Sequence, residues 1–374
     1  MRPFRSPTRR PQTSRRHLDR HRLLAVGLAL VGMFALLLTA PAGLARASTT
    51  AVNLPADESP HPSAWTEWWY FTGHLTGTDI FGNKHSYGFE DIAVRSDVLN
   101  LEPADALYNG QFAITDLTRG TFNQDTLNDS LQPDVIPSGG GYNISINTWN
   151  MNGKSGQNHL FAYDTDYALN LSLDQSQPAA LHGNGGLIPY GSFGTSYYYS
   201  ETNLEVTGTV IDHGIPVTVT GTAWQDHQWG DFTGPGGWTW FSLQLSNGTQ
   251  YMLYFLKDAD GNLNQVVATQ VNANGTYQAV PASEVSYKPL GSWTSPSTGI
   301  TYEQNWQVTL PGGQLTVNAL QADQEVTNLS VQDYWEGDCS VTGTINGQAV
   351  TGQSYTEVQP TFTVPQPGGI GSLL

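Results

Sequence analysis

Short runs of alternating apolar and polar residues, each closed off by Gly, Asn, Asp or Pro, recur along this chain. They include Trp68–Leu75, Ser86–Val94, Gln111–Thr115, Tyr142–Asn147, Ala168–Leu173, Leu204–Ile211, Val217–Thr222, Trp238–Leu245, Gly248–Leu256, Val266–Val271, Gln304–Leu310 and Gln314–Ala319. A period of two places every second side chain on one face, which a strand can bury and a helix cannot. No long window carries apolar residues at i, i+3, i+4 and i+7. The chain therefore reads as all-β, with many hairpins closing into barrels or sandwiches.

The first 47 residues read as an address rather than as fold. Arg2, Arg5, Arg9, Arg10, Arg15, Arg16, Arg20 and Arg22 precede the uncharged apolar run Leu23–Ala40, and Ala45-Arg46-Ala47 has the small-x-small form of a cleavage site. Residues 1–47 are expected to be a signal peptide with the mature chain starting at Ser48. Ser14-Arg15-Arg16-His17-Leu18 resembles a twin-arginine signal that lacks the usual Phe. An uncleaved anchor is the alternative, since the apolar run approaches membrane-spanning length. No later segment is long and apolar enough to span a membrane. These residues hold nine Arg and one Asp, so their removal takes the formal net charge from −17 down by eight, to −25. So acidic a surface repels nucleic acid and suits a soluble, secreted, extracytoplasmic protein. Cys339 is the one cysteine, which excludes a disulfide framework and any all-cysteine metal site.

A repeat divides the chain. Tyr199-Ser-Glu201, then Thr207-Gly208-Thr209, Gly214 and Thr220-Gly221 is answered by Tyr334-Trp-Glu336, then Thr342-Gly343-Thr344, Gly347 and Thr351-Gly352. Tyr70-Phe71-Thr72-Gly73-His74-Leu75 matches Trp240-Phe241-Ser242-Leu243-Gln244-Leu245 more loosely. Each half opens on an aromatic strand and ends in a Glu-led hairpin. Two domains follow, residues 48–232 and 233–374, with an irregular lead-in at Ser48–Ser63 and a Pro/Gly-rich tail at Pro360–Leu374.

The chemistry concentrates in Gly221–Phe241, where four Trp, two Asp and one His surround a Gly-rich loop that is expected to separate two strands. Alternation puts Trp224, Asp226 and Gln228 on one face and Gln225, His227 and Trp229 on the other. In the first aromatic strand, Trp68, Tyr70, Thr72 and His74 share one face, and Glu67, Trp69 and Phe71 share the other. A carboxyl packed on indole loses hydration and its pKa rises, by roughly 3–5 units at full burial, which makes Asp226 a proton donor near neutrality. Ring faces hold a developing cation. The opposing reading has Asp226 accepting main-chain N–H bonds at a bend, which lowers its pKa. Tyr197, Tyr198 and Tyr199 offer further rings, not all on one side. The chain has no Gly-x-Ser-x-Gly elbow, His-Glu-x-x-His, phosphate loop or dinucleotide fingerprint. A metal site built from His74, His85, Asp226 and His227 is the disfavoured reading. No metal or cofactor is expected.

Several of these residues match one pattern. They are Glu67-Trp68-Trp69-Tyr70 with Gly73-His74-Leu75; Tyr198-Tyr199-Ser200; Val219-Thr-Gly221-Thr-Ala-Trp224-Gln-Asp226-His227-Gln-Trp229-Gly230; Gly237-Trp238-Thr-Trp240-Phe241; and Tyr334-Trp335-Glu336-Gly337 with Tyr355-Thr-Glu357. From Trp65 to Glu357 the chain resembles the carotenoid hydratase (hydroxyneurosporene synthase)/AttH-like family of secreted hydrolase-like proteins. The resemblance implies two consecutive lipocalin-like β-barrel domains. For the hydratase branch it implies cofactor-free, acid-catalysed addition of water to an isoprenoid double bond. On that reading Asp226 is the acid, His227 its proton partner or water-orienting base, and Glu67 a further catalytic candidate. Trp224, Trp229, Tyr70, His74, Tyr198 and Trp238 form the substrate wall. Gln225, Gln228 and the closing Glu357-Val-Gln-Pro-Thr depart from the pattern. The expected partner is a small hydrophobic substrate. The alternatives are a non-catalytic carrier of such a molecule, or a module whose barrels are filled by side chains. The oligomeric state is not set by the sequence.

Overall fold

The computed structural model describes residues 52–97, 105–232, 236–327 and 333–361. Residues 1–51, 98–104, 233–235, 328–332 and 362–374, and with them the leader and most of the tail, lie outside these. Among the described residues there is no α-helix, only the single 3-10 turns Ala56–Glu58, Gly191–Phe193 and Ala282–Glu284.

The strands are β1 (Thr66–Asp79), β2 (Lys84–Ser96), β3 (Asp105–Asp116), β4 (Thr121–Pro133), β5 (Tyr142–Ile146), β6 (Trp149–Lys154), β7 (Gln157–Tyr163), β8 (Tyr167–Gln175), β9 (Ala180–Leu181), β10 (Leu187–Pro189), β11 (Gly194–Asp212) and β12 (Ile215–Phe232) in one sheet. The other sheet holds β13 (Gly237–Leu245), β14 (Gln250–Lys257), β15 (Leu263–Val271), β16 (Tyr277–Ala279), β17 (Ser286–Thr294), β18 (Thr301–Leu310), β19 (Gly313–Ala319), β20 (Glu325–Val326), β21 (Tyr334–Ile345) and β22 (Gln348–Gln359). Their orders are β4-β3-β2-β1-β12-β11-β8-β7-β6-β5 and β16-β15-β14-β13-β22-β21-β19-β18-β17, with β9 and β10 on β11 and β20 on β21. The two paths share one topology: an opening strand joins a four-strand meander to the closing hairpin.

Each sheet curls towards closure, so the all-β expectation of two lipocalin-like barrels holds. In the first, a Cβ added to Gly110 of β3 would lie 3.1 Å from Ile146 of β5 and 3.2 Å from Trp149 of β6. In the second, Tyr287 of β17 stands edge-on to Phe255 of β14 with ring centres 4.7 Å apart. Side chains fill the interiors. Trp69, Phe71, Phe89, Leu169 and Leu171 are wholly buried in the first, and Phe241, Leu253, Trp306 and Trp335 equally so in the second.

A third core joins the barrels. Tyr70, Tyr198 and Trp224 of the first sheet pack with Trp240, Met252, Tyr254 and Tyr355 of the second. Alternation produces it: the residues of β1 and β12 that turn away from the first lumen turn into this seam. The sheets come so close that Gly88 of β2 admits no side chain, because an added Cβ would lie 2.7 Å from both Asp338 Cβ and the Tyr355 hydroxyl.

One expectation is corrected here. Trp224–Trp229 does not sit at a strand end. β12 runs unbroken to Phe232, because β1 and β11 pair with it along both edges. The acid, the imidazole and the two indoles therefore occupy a central strand, where alternation is strictly enforced.

Candidate active site

Asp226 lies on the seam face of β12, opposite Tyr70 of β1 and Ser200 of β11. It is buried, and its partners are all side chains. Trp224 Nε1–H donates to Oδ1 at 2.6 Å, Ser200 Oγ–H donates to the same oxygen, and Tyr198 Oη–H donates to Oδ2. Trp240 Nε1–H in turn donates to Tyr198 Oη at 3.1 Å. Burial disfavours the carboxylate more than these three donors favour it, so its pKa is pushed up to about 7. Of the two sequence readings the dry acid holds. The acid faces the seam between the barrels, however, and not a barrel lumen. Half-buried Trp68, Ile92, Phe232 and Trp238 rim this aromatic patch, and Trp238 stands edge-on to Tyr254 at 6.2 Å.

A relay stands behind the acid. Ser200 Oγ lies 2.6 Å from His182 Nε2, and His182 Nδ1 lies 2.8 Å from Thr269 Oγ1. Burial drives the His182 imidazole down to about 3, so it is neutral. With Ser200 donating to Asp226, His182 donates to Ser200 from Nε2 and accepts from Thr269 at Nδ1.

Three carboxylates that sequence reasoning did not assign share the seam. Tyr70 Oη–H donates to Glu336 Oε1 at 2.8 Å. Tyr334 Oη–H donates to Glu90 Oε1 at 2.7 Å and lies against Gln111 Oε1. Glu357, half-buried, faces Glu336 across the β21–β22 ladder. Burial raises all three: Glu90 to about 8, Glu357 to about 7, and Glu336 well above the carboxylate range, with the Glu90 charge as its next cause. A signal was present in the sequence. Phe89-Glu90-Asp91 puts two acids mid-strand between aromatic and aliphatic neighbours, in a chain only 13% charged.

The other candidates do not join Asp226. His227 and Trp229 point to the opposite face of β12, as a period of two requires. There Glu67 Oε1 takes His227 Nε2 at 2.8 Å and His61 Nδ1 at 2.7 Å, while His61 stacks on Trp229 with ring centres 3.9 Å apart. The expected Asp226–His227 partnership is thus corrected, and Glu67 and Trp229 likewise belong to a separate network. Burial opposes charge on Glu67, yet the two imidazoles outweigh it and hold the carboxyl below its usual range. Burial holds the His227 imidazole down. His74 is on the seam face but farther along it, with Nδ1 2.8 Å from Asp338 Oδ1.

The ligand atoms of His61, Glu67 and His227 lie within 4.8 Å of one another. Two imidazoles and a carboxylate are a donor set a borderline cation accepts. Both ring nitrogens are here spent on one carboxylate oxygen, so the trio is complete as a hydrogen-bonded unit. His85 bridges Asp79 and Asp212, each at 3.3 Å, and meets neither Asp226 nor His227. Near it an open groove of about 620 Å³, lined by Thr76, Thr78, Lys84, Thr118, Thr218 and Thr220, offers hydroxyls and one cation but none of the seam's rings.

The AttH-like family model matches residues 45–360, nearly the whole chain. The chain belongs to the AttH-like family. No curated protein matches it significantly. Among solved structures, an AttH protein from Nitrosomonas europaea is 26% identical, covers 86% of this chain and 100% of its own, and superposes with a TM-score of 0.72. Kievitone hydratase from Nectria haematococca is 18% identical, covers 84% of this chain and 95% of its own, and superposes with a TM-score of 0.69. This AttH-like chain thus shares its fold with a hydratase. Among its described residues no helix is long and apolar enough to cross a membrane.

Proposed function

We propose that this protein adds water across a carbon–carbon double bond of an apolar, isoprenoid- or lipid-like substrate held at the seam, as carotenoid hydratases do, and that it works after export. The observation that carries the reading is Asp226: a carboxyl taken out of water between aromatic rings, held only by side-chain donors, and near half-protonation at neutral pH. Hydroxyl groups can rotate to accept from the protonated acid and donate again once its proton has left, which main-chain amides cannot do. The proton passes from Asp226 to one alkene carbon. The cation on the other carbon faces Tyr70, Trp224, Trp240 and Tyr254, whose rings stabilise positive charge by about 2 kcal/mol or more in a dry site. Water then closes the reaction. Kievitone hydratase contributes a fold to the reading and nothing more, because the chemistry rests on the acid. Export rests on the basic, apolar and Ala-x-Ala order of residues 1–47.

A carrier would need room in a lumen. Trp69, Phe71, Phe89, Leu169 and Leu171 offer a guest no surface in the first barrel. The test incubates purified protein with acyclic carotenoids, shorter polyenes and kievitone, and looks by mass spectrometry for products heavier by one water. Asp226→Asn keeps the shape and one acceptor oxygen but has no acid proton, and is expected to lose about 10²–10⁴-fold in rate. No hydrated product from any double-bonded substrate, or full activity in Asp226→Asn, ends the reading.

A further inference from the structure

Two tyrosines cross the seam in opposite directions, and each leaves a carboxylate half-used. Tyr70 binds one oxygen of Glu336, and Tyr334 binds one oxygen of Glu90. The second oxygens, Glu336 Oε2 and Glu90 Oε2, are buried and have no protein partner. Nor does Thr72 Oγ1, equally buried and directly opposite Glu90 in the β1–β2 register. Buried polar atoms are nearly always satisfied, so three such oxygens on neighbouring positions call for one small guest. That guest must both donate and accept. Burial keeps Glu336 protonated and leaves Glu90, raised to about 8, ionised in part near neutrality, so the set presents an O–H donor, a carboxylate acceptor and a hydroxyl able to act either way. An ammonium group offers donors only, and would require both acids ionised in a dry seam.

We propose that Glu90, Glu336 and Thr72 seat the water molecule that is added to the double bond, and that the ionised member of the Glu90–Glu336 pair is its base. The inference rests on the hydratase reading and extends it. Thr72 stands opposite Trp224, one pleat from the Tyr70–Asp226 pair. From Asp226 to Glu90 is two strands across and two residues along, about 12 Å between Cα atoms by sheet spacing. Tyr70, the register partner of Asp226 on β1, binds Glu336 across the seam, and the Asp226 charge is among the causes that raise Glu336, so the acid and the pair share one site. The step balances. Asp226 gives its proton to one carbon and becomes a carboxylate. The water oxygen bonds to the cationic carbon. The water's released proton goes to the carboxylate of the pair. When product leaves, solvent returns a proton to Asp226 and takes one from the pair.

A crystal structure of the full mature protein, at a resolution that shows ordered solvent, tests the seat without any substrate. A water within about 3 Å of at least two of the three oxygens is expected. Oxygens bonded to each other or to a protein donor, or a cation in that place, overturn it. Kinetics tests the base. Glu336→Gln and Glu90→Gln are near-isosteric, and at least one is expected to lower kcat about 100-fold with KM unchanged. The same variant should lose the acid-side limb of the pH profile. Glu90, Asp91, Glu336 and Glu357, with Tyr70, Tyr334, Tyr355, Asp226 and Asp338, are the titratable groups around the pair, and in the variant only the substituted acid is removed. Full rate in both variants overturns the base even if the water is seen. If the wild-type protein hydrates nothing, the function proposed above fails, and the crystal structure still decides the water seat.

Discussion

Six residues before Thr207, Glu201 on β11 points into the first barrel, where Asn158 Nδ2–H donates to it at 2.9 Å. Six residues before Thr342, Glu336 on β21 points out of the second barrel and into the seam, onto Tyr70. The spelling is the same and the destination opposite. The cause is one residue. Between Glu201 and Leu204 the β11–β12 ladder slips, so that Thr202 and Asn203 together face Trp224, whereas β21 pairs with β22 without a break. A bulge on a strand exchanges the faces on either side of it. In the first barrel it turns Ser200 to Asp226 and keeps Glu201 inside. In the second, its absence sets Glu336 and Glu357 side by side on the seam. The acid and the carboxylate pair therefore come from equivalent hairpins that differ by a local irregularity.

Moving the irregularity is the harshest way to break this comparison. An alanine inserted between Gly337 and Asp338 would give β21 the bulge it lacks, turn Glu336 inward towards Trp306 and turn Trp335 out of the core. An unpaired carboxyl in that core is expected to cost about 5 kcal/mol or more and to unfold the second barrel, as read by circular dichroism and urea titration. The reverse change is expected to be mild. Deleting Asn203 removes the extra residue but leaves Glu201 and Leu204 facing the lumen. The losses are the Asn203 bonds to Ser176, about 1–3 kcal/mol in total. Equal damage from both would show that bulge position does not set these faces.

Titration sharpens the comparison with a smaller effect. Glu90 and Asp91 are raised to about 8, and Glu201, Asp226 and Glu357 to about 7, all chiefly by burial. A carboxyl with a raised folded pKa binds protons that the unfolded chain has already released, so stability falls as pH rises. The window runs from the ordinary carboxylate range near 4 up to about 8. Thermal midpoints should therefore decline across it. Glu201→Gln should flatten the slope through the first barrel alone, and Glu336→Gln through the seam. A midpoint that rises from pH 5 to 8 would mean these acids are solvated.

How much of this was legible beforehand follows from the range of each interaction. Alternation and turn residues are local, so the strands, the two faces of β1 and the split between Asp226 and His227 could be read from neighbouring letters. Which face is lumen and which is seam could not. That depends on pairs such as Tyr70–Glu336, which lie 266 residues apart. The glycine-rich stretch after Trp229 reads locally as the end of a strand, yet pairing from β1 and β11 carries β12 to Phe232. Glu336 and Glu357 were visible as part of the repeat and the family pattern, yet nothing local marks a strand glutamate as buried. His182 had no flag at all. Its role exists only through Ser200 and Thr269, on different strands.

The finest cut is Ser200→Ala. The bulge delivers this hydroxyl to Asp226, whereas its counterpart in the second hairpin, Trp335, turns into the barrel core. Removing it takes away a bond that favours the charged carboxylate, while the burial stays. The pKa of Asp226 should then rise from about 7 by about one further unit, since a hydrogen bond to a charged group is worth about 1.5–3 kcal/mol and a unit about 1.4. The acid stays protonated to higher pH, so the alkaline limb of any turnover moves up rather than down, with only a few-fold change in the plateau rate. The same shift is readable without substrate from the Asp226 carboxyl carbon by NMR. An unmoved carboxyl signal would mean that Tyr198 and Trp224 alone set this acid, and that the bulge in β11 serves packing rather than proton transfer.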